Sequence, residues 1–275
     1  MPLNINTLST ENVLDVHNEL VKEFADSSDP IFPPGVKSME LLESAVSRQY
    51  TSIDGHYKYP DPISNAATLT YGICNDHAFH NGNKRTALVS MLVHLDKNRF
   101  TFTTVTQDEF FNMILGVATH QIVHTGRNKK STSKDSKPHP DEEVEALTRW
   151  IKEKAIPIRR GDKQITYRDL RKILKRFNCE LDNPKGNSID IICIRKLKQR
   201  KGFTTETIEV RKKVWNITYR GENAIVPINV IKDVRNVCKL REEDGITSET
   251  FYSEGDIINS FINIHRTLLR KLANR

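Results

Sequence analysis

The sequence predicts a mainly α-helical domain over residues 1–157 followed by a smaller α+β domain over 158–275. Three observations carry this. Apolar residues recur at helical spacing through the first part, the second part mixes helical and strand-like runs, and the charge balance reverses between them. Residues 1–157 hold 16 Lys+Arg against 20 Asp+Glu, while 158–275 hold 26 against 15, so the net charge of +7 comes from the second part. At 275 residues the chain exceeds the usual size of one domain. No apolar run approaches the length needed to cross a bilayer, and the N-terminus lacks the basic-then-apolar pattern of a secretory signal, so the expectation is a cytoplasmic protein with no membrane partner. Cys74, Cys179, Cys193 and Cys238 show no paired spacing, which fits four ordinary reduced thiols.

In the first part, Ser9 or Thr10 caps a helix that carries Val13, Val16, Leu20 and Phe24 on one side. Glu11 reads as a first-turn residue favoured by the helix dipole. The proline-rich stretch Asp29–Gly35 stops that helix, and Met39–Gln49 forms a second. Tyr50–Ser64, with Gly55, Pro60 and Pro62, reads as an irregular segment or short hairpin. Beyond a central helix starting near Arg85, Arg99–Val105 suggests an extended piece and Gln107–Ile122 a further helix. His120 and His124 stand four residues apart, a spacing that can bind a metal on one helix face, but no third ligand accompanies them. Gly126–His139 is polar, lacks apolar period and reads as a mobile insertion, before an amphipathic helix at Asp141–Ile156 with Val144, Leu147, Trp150 and Ile151. The domain boundary is placed near Pro157.

The stretch His77-Ala-Phe-His-Asn-Gly-Asn-Lys-Arg-Thr86 gathers the chemistry. Ala87, Leu88, Met91, Leu92 and Leu95 follow at helical spacing, so the stretch is a helix entrance, where unpaired N–H groups and the macrodipole suit phosphate oxygens. Gly82 permits close backbone approach, Asn83 offers an amide, and Lys84 and Arg85 add cationic donors. His77 can take a proton from an attacking hydroxyl near neutral pH. A base beside a phosphate nest and an arginine points to transfer of a phosphorus-containing group.

These residues resemble the active-site motif of the Fic/Doc family, H-x-F-x-D/E-G-N-G/K-R. With Lys84, they resemble the death-on-curing (Doc) branch in particular. Leu8–His17, Leu41–Ala45 and Ala66–Cys74 are similar to the helices that precede the motif, in the same order. The resemblance implies a Fic/Doc helical fold and an ATP- and Mg2+-dependent transferase acting on a target protein. In the Doc branch this is a toxin kinase that moves the γ-phosphoryl group to a translation elongation factor, in a toxin-antitoxin or defence system with a small antitoxin as partner. The alternative within the family is a protein adenylyltransferase (AMPylator). The implied roles are His77 as base, Gly82, Asn83 and Lys84 lining the anion hole, Arg85 binding phosphate, and Phe79 anchoring the loop. A target-binding flap is implied around Tyr57, Lys58 and Tyr59. Two departures stand out. Asn81 occupies the place of the acidic residue that holds the metal, which weakens Mg2+ binding, and Leu88 stands where the adenylylating branch often has a second arginine. A third reading follows from Asn81: a catalytically weak interaction module.

In the second part, Thr166–Phe177 reads as a helix, Ser188–Lys196 and Val214–Tyr219 as strands, Pro227–Leu240 as a helix and Asp256–Leu272 as a final amphipathic helix. Tyr167–Leu174 with Lys185-Gly-Asn-Ser188 faintly resembles HicA-like toxins, although Asn187 and Ser188 stand where those carry a catalytic histidine. Arg195, Lys196, Lys198, Arg200 and Lys201 form a basic run read as a solvated hairpin loop, with nucleic acid as its possible partner.

Overall fold

A computed structural model of the chain describes residues 3–125, 138–158, 165–201, 204–252 and 254–274, so the expected insertion at 126–139 lies almost wholly outside the described residues. The chain divides into two compact units, Met1–Arg159 with His265–Arg275, and Arg160–Ile264. The expected boundary at Pro157 lies close to the first division, but the last eleven residues count with the first unit and not with the second.

In the first unit, helix α1 (Thr10–Phe24) starts on Ser9, whose hydroxyl accepts the Asn12 N–H while the Asn12 side chain accepts the Ser9 N–H. This reciprocal cap satisfies two donors that a helix start otherwise leaves open. Glu11 sits exposed in the first turn. The expected second helix is shorter than Met39–Gln49: α2 (Met39–Ser47) gives way to a 3-10 turn at Arg48–Tyr50. The segment after it is a hairpin, β1 (Ser52–Ile53) with β2 (His56–Tyr57). Helix α3 (Pro62–Asn75) is capped by Asp61, with proline in its first turn where no N–H is missed.

Helix α4 (Asn83–Lys97) is buried on every side from Arg85 to Asp96, because α3, α1 and α5 (Gln107–Ala118) all pack against it. The sequence marks one apolar face, whereas Ser90 and His94 on the other side are equally enclosed. His94 is tolerated because its Nε2 meets the Asn65 amide oxygen at 3.0 Å, and burial lowers its pKa to about 4. The extended piece is β3 (Phe100–Phe102). It pairs antiparallel with β4 (Ala155–Pro157), the residues just after α6 (Pro140–Lys154), so the expected helix end at Ile156 is a strand instead. Helix α5 stops at Ala118, short of the expected Ile122, and His120 lies beyond its end at φ +57. His120 Nδ1 instead meets buried Glu143 at 2.9 Å.

In the second unit, α7 (Tyr167–Arg176) starts on Thr166 in a capping box with Asp169 and buries Leu170, Ile173 and Leu174. The sheet is antiparallel, in the order β5 (Cys179–Lys185), β6 (Ser188–Lys201), β7 (Thr204–Thr218). Strand β5 was not expected, since Asp182, Asn183 and Pro184 disfavour strand. The basic run lies within β6 and not in a loop, paired with Thr204–Val210 of β7. Helices α8 (Ile228–Val237), α9 (Ser248–Phe251) and α10 (Glu254–Ile264) complete this unit. The final helix is not continuous: α10 ends at Ile264 and α11 (Arg266–Lys271) belongs to the first unit, where it packs on α5. Among the described residues, no helix is long and apolar enough to cross a membrane.

Candidate active site

The motif loop joins α3 to α4. It opens at His77, whose φ of +50 turns the chain back on itself, and closes at Gly82, the N-cap of α4, with φ +81. A Cβ at Gly82 would also lie 3.1 Å from Ile31 Cδ1, so both backbone conformation and space call for glycine there. Between these points the loop is pinned from two sides. The Lys37 and Ser38 N–H groups donate to the Ala78 carbonyl at 2.7 and 3.1 Å, and the His80 N–H donates to the Gly35 carbonyl at 3.1 Å. From the other side, Asn83 Oδ1 accepts the Phe79 N–H at 3.0 Å while Asn83 Nδ2 donates to the Phe79 carbonyl at 2.9 Å. The Phe79 ring is buried and stacks on His17, with centroids 4.0 Å apart.

This frame leaves the His77 side chain exposed at the loop's start. The Thr86 N–H donates to the Gly82 carbonyl at 2.8 Å, and the first turn of any helix presents N–H groups ahead of that ladder. Lys84 is half-buried. Its charge acts on Cys74, whose thiol burial pushes up to about 12.

Other residues of the expected nest are placed differently. The Gly82 N–H is already bonded, to Asn81 Oδ1 at 2.6 Å, and Asn81 Nδ2 donates to the Phe32 carbonyl at 3.0 Å. The Asn83 amide is occupied by Phe79 and serves the loop's shape. Arg85 is 1% exposed, lies 5.3 Å over the Phe24 ring and donates from Nη1 to the Asp29 carbonyl at 3.0 Å, while its Nε and Nη2 find no partner. Burial lowers its pKa, against the opposing pull of Asp29. His77 thus opens the motif loop with its side chain exposed, Lys84 lies half-buried in the first turn of α4, and Arg85 is turned inward.

Several supporting residues went unnoticed in the sequence. His17 is the chief one: Nδ1 meets Thr86 Oγ1 at 3.1 Å and Nε2 accepts the Gly35 N–H at 3.2 Å, which makes Nδ1 the protonated nitrogen. Burial, helped by the Arg85 charge, lowers its pKa to about 4. Its place four residues after Val13 and three before Leu20 was the available signal. Asp76, beside His77, has its carboxyl pKa raised by burial, with Arg48 and His77 acting the other way.

At the hairpin, Tyr57 is half-buried on β2, but the other two flap residues are tied elsewhere. Lys58 Nζ pairs with Asp141 of α6 at 2.6 Å, and buried Tyr59 donates its hydroxyl to the same carboxylate at 3.4 Å. Ile53, 58% exposed, is the most open apolar side chain of the hairpin.

The donor set fits phosphate oxygens: backbone N–H groups at a helix start, an ammonium and an exposed imidazole. It fits Mg2+ poorly. The side-chain oxygen at position 81 is a neutral amide already engaged by Gly82, whereas the ion prefers charged oxygens.

Residues 7–95 match the model of the Fic/DOC family. The Fic/DOC match runs from just before α1 into the last turn of α4, so it contains the whole motif loop and the elements that pin it. It includes neither α5 and α6 nor any of the second unit. No curated protein matches the chain.

Proposed function

We propose that the Fic/DOC-like part is a transferase that moves a phosphorus-containing group from ATP to a hydroxyl of a target protein, and that the group is the γ-phosphoryl, as in the Doc branch. The observation that supports this reading is the pinned loop, which ends at the start of α4 and carries the exposed His77 imidazole at its beginning. His77 accepts the proton of the target hydroxyl as its oxygen attacks phosphorus. The N–H groups of α4 and the Lys84 ammonium offset the charge spread over the phosphoryl oxygens, which is the main demand of phosphoryl transfer. The bond to the leaving ADP breaks as the bond to the target oxygen forms. Mg2+ would arrive on the nucleotide's own phosphates, with Asn81 as a weak ligand at most. The β1–β2 hairpin is the surface on which an extended target segment would add as a strand. Lys84 and Leu88 favour phosphoryl over adenylyl transfer, because the second phosphate-binding arginine of the adenylylating branch is missing. A translation factor as target and a small antitoxin as partner belong to this same proposal.

A second reading, a weakly catalytic interaction module with the basic strand β6 as a nucleic-acid surface, is favoured by the Asn81–Gly82 bond, which covers one donor of the nest. One experiment separates the readings. The full chain is incubated with Mg2+, cell extract and ATP labelled at either the γ or the α phosphate. Protein labelled from γ only supports the kinase, and label from α supports adenylylation. No label from either, with no ATP binding by calorimetry, leaves the interaction module.

A further inference from the structure

Three of the four cysteines, scattered in sequence, meet in the second unit. Cys179 opens β5, Cys193 lies directly opposite it on β6, and Cys238 caps the C-terminus of α8. Their sulfur atoms all lie within 4.8 Å of one another, with Cys179 and Cys193 Sγ 3.1 Å apart. They line one cavity of about 250 Å³, whose wall also carries Arg195, Lys212 and Lys239. Cys179 is buried, while Cys193 and Cys238 are partly open to solvent.

We propose that Cys179, Cys193 and Cys238 form a binding site for a soft divalent cation, Zn2+, with three thiolates as protein ligands and a solvent molecule in the fourth position, facing the cavity. Zinc–sulfur bonds of about 2.3 Å in a tetrahedron place sulfurs about 3.8 Å apart. The Cys179–Cys193 spacing is 3.1 Å and no sulfur pair exceeds 4.8 Å, so side-chain shifts of about 1 Å or less complete the site. The donor set also selects the ion. Thiolates favour Zn2+ over Mg2+ or Ca2+, which take oxygen ligands. Three thiolates around one Zn2+ leave a net negative charge, and the three basic side chains on the cavity wall suit it. The ion joins two strands to a helix end, and such a tie adds to the stability of the folded state.

The test uses the full chain, reduced and stripped of metal. Titration with Zn2+ against a chromogenic chelator, and with Co2+ followed by its thiolate charge-transfer absorption, is expected to give one ion per chain and a rise in Tm on Zn2+ addition. Cys193→Ser and Cys238→Ser should each weaken binding at least tenfold, with folding checked by circular dichroism. Cys74→Ser, in the other unit, should leave binding unchanged. Absence of the Co2+ charge-transfer band in the reduced wild-type chain overturns the site, as does full binding by Cys238→Ser. A Cys179–Cys193 disulfide in the purified protein that persists under mild reduction, with no metal uptake, overturns it in favour of a covalent cross-strand link.

Discussion

The Asn81 side chain folds back on its own neighbour, its Oδ1 accepting the Gly82 N–H at 2.6 Å while its Nδ2 holds the Phe32 carbonyl. An aspartate at this position keeps the first bond and gives up the second, leaving a charged oxygen for a hard cation. Asn81→Asp is therefore expected to tighten ATP binding in the presence of Mg2+ by roughly tenfold, the equivalent of about 1.4 kcal/mol. Calorimetry with and without Mg2+ measures this. Equal affinities in both proteins would mean that position 81 does not face the nucleotide's metal.

His77 combines an exposed imidazole with a left-handed backbone at φ +50. Asparagine tolerates that conformation better than most residues and cannot act as a base near neutral pH. His77→Asn should keep its Tm within a degree or two of wild type and lose nearly all protein labelling. His77→Val should in addition lose about 1–2 kcal/mol of stability, because a β-branched residue is strained at positive φ. Labelling that survives in the asparagine variant would remove the imidazole from the mechanism.

Asn83 holds the Phe79 backbone from both of its polar atoms. Asn83→Ala removes both bonds and strands the Phe79 N–H and carbonyl, for an expected loss of about 2 kcal/mol. Urea unfolding reports the loss. Because the loop carries His77, labelling should fall with it even where the protein remains folded.

His17, His94 and His265 are buried, and burial is the leading cause that lowers each pKa from 6.5 to about 4. Below pH 6.5 the unfolded chain takes up protons that these folded imidazoles refuse. Their contribution is thus complete above pH 6.5 and is lost progressively as pH falls to about 4. Unfolding free energy measured across that window should decline steeply. His94→Gln, which keeps a polar atom for Asn65, should decline less steeply, and an identical slope would place the proton uptake elsewhere.

The local rules were legible in the chain itself. Ser9 is a good cap, Val13, Val16, Leu20 and Phe24 keep helical period, and Gly82 marks the start of α4. These depend on residues within a turn or two of one another, so the helices and the motif loop could be read from sequence. What a side chain meets across the fold was decided only by packing. Arg85 looked like a phosphate ligand because it follows the nest, but one turn of helix carries it onto Phe24 and the Asp29 carbonyl. His17 was passed over because its partners, Gly35, Phe79 and Thr86, come from three separate segments. Strand β5 was hidden because its own residues disfavour extended structure and only pairing with β6 holds it. That pairing also brings Cys179 against Cys193, and α8 delivers Cys238, so the cluster exists only once the second unit has folded. Sequence records spacing along a line, and such meetings depend on distances that loop closure and burial set afterwards.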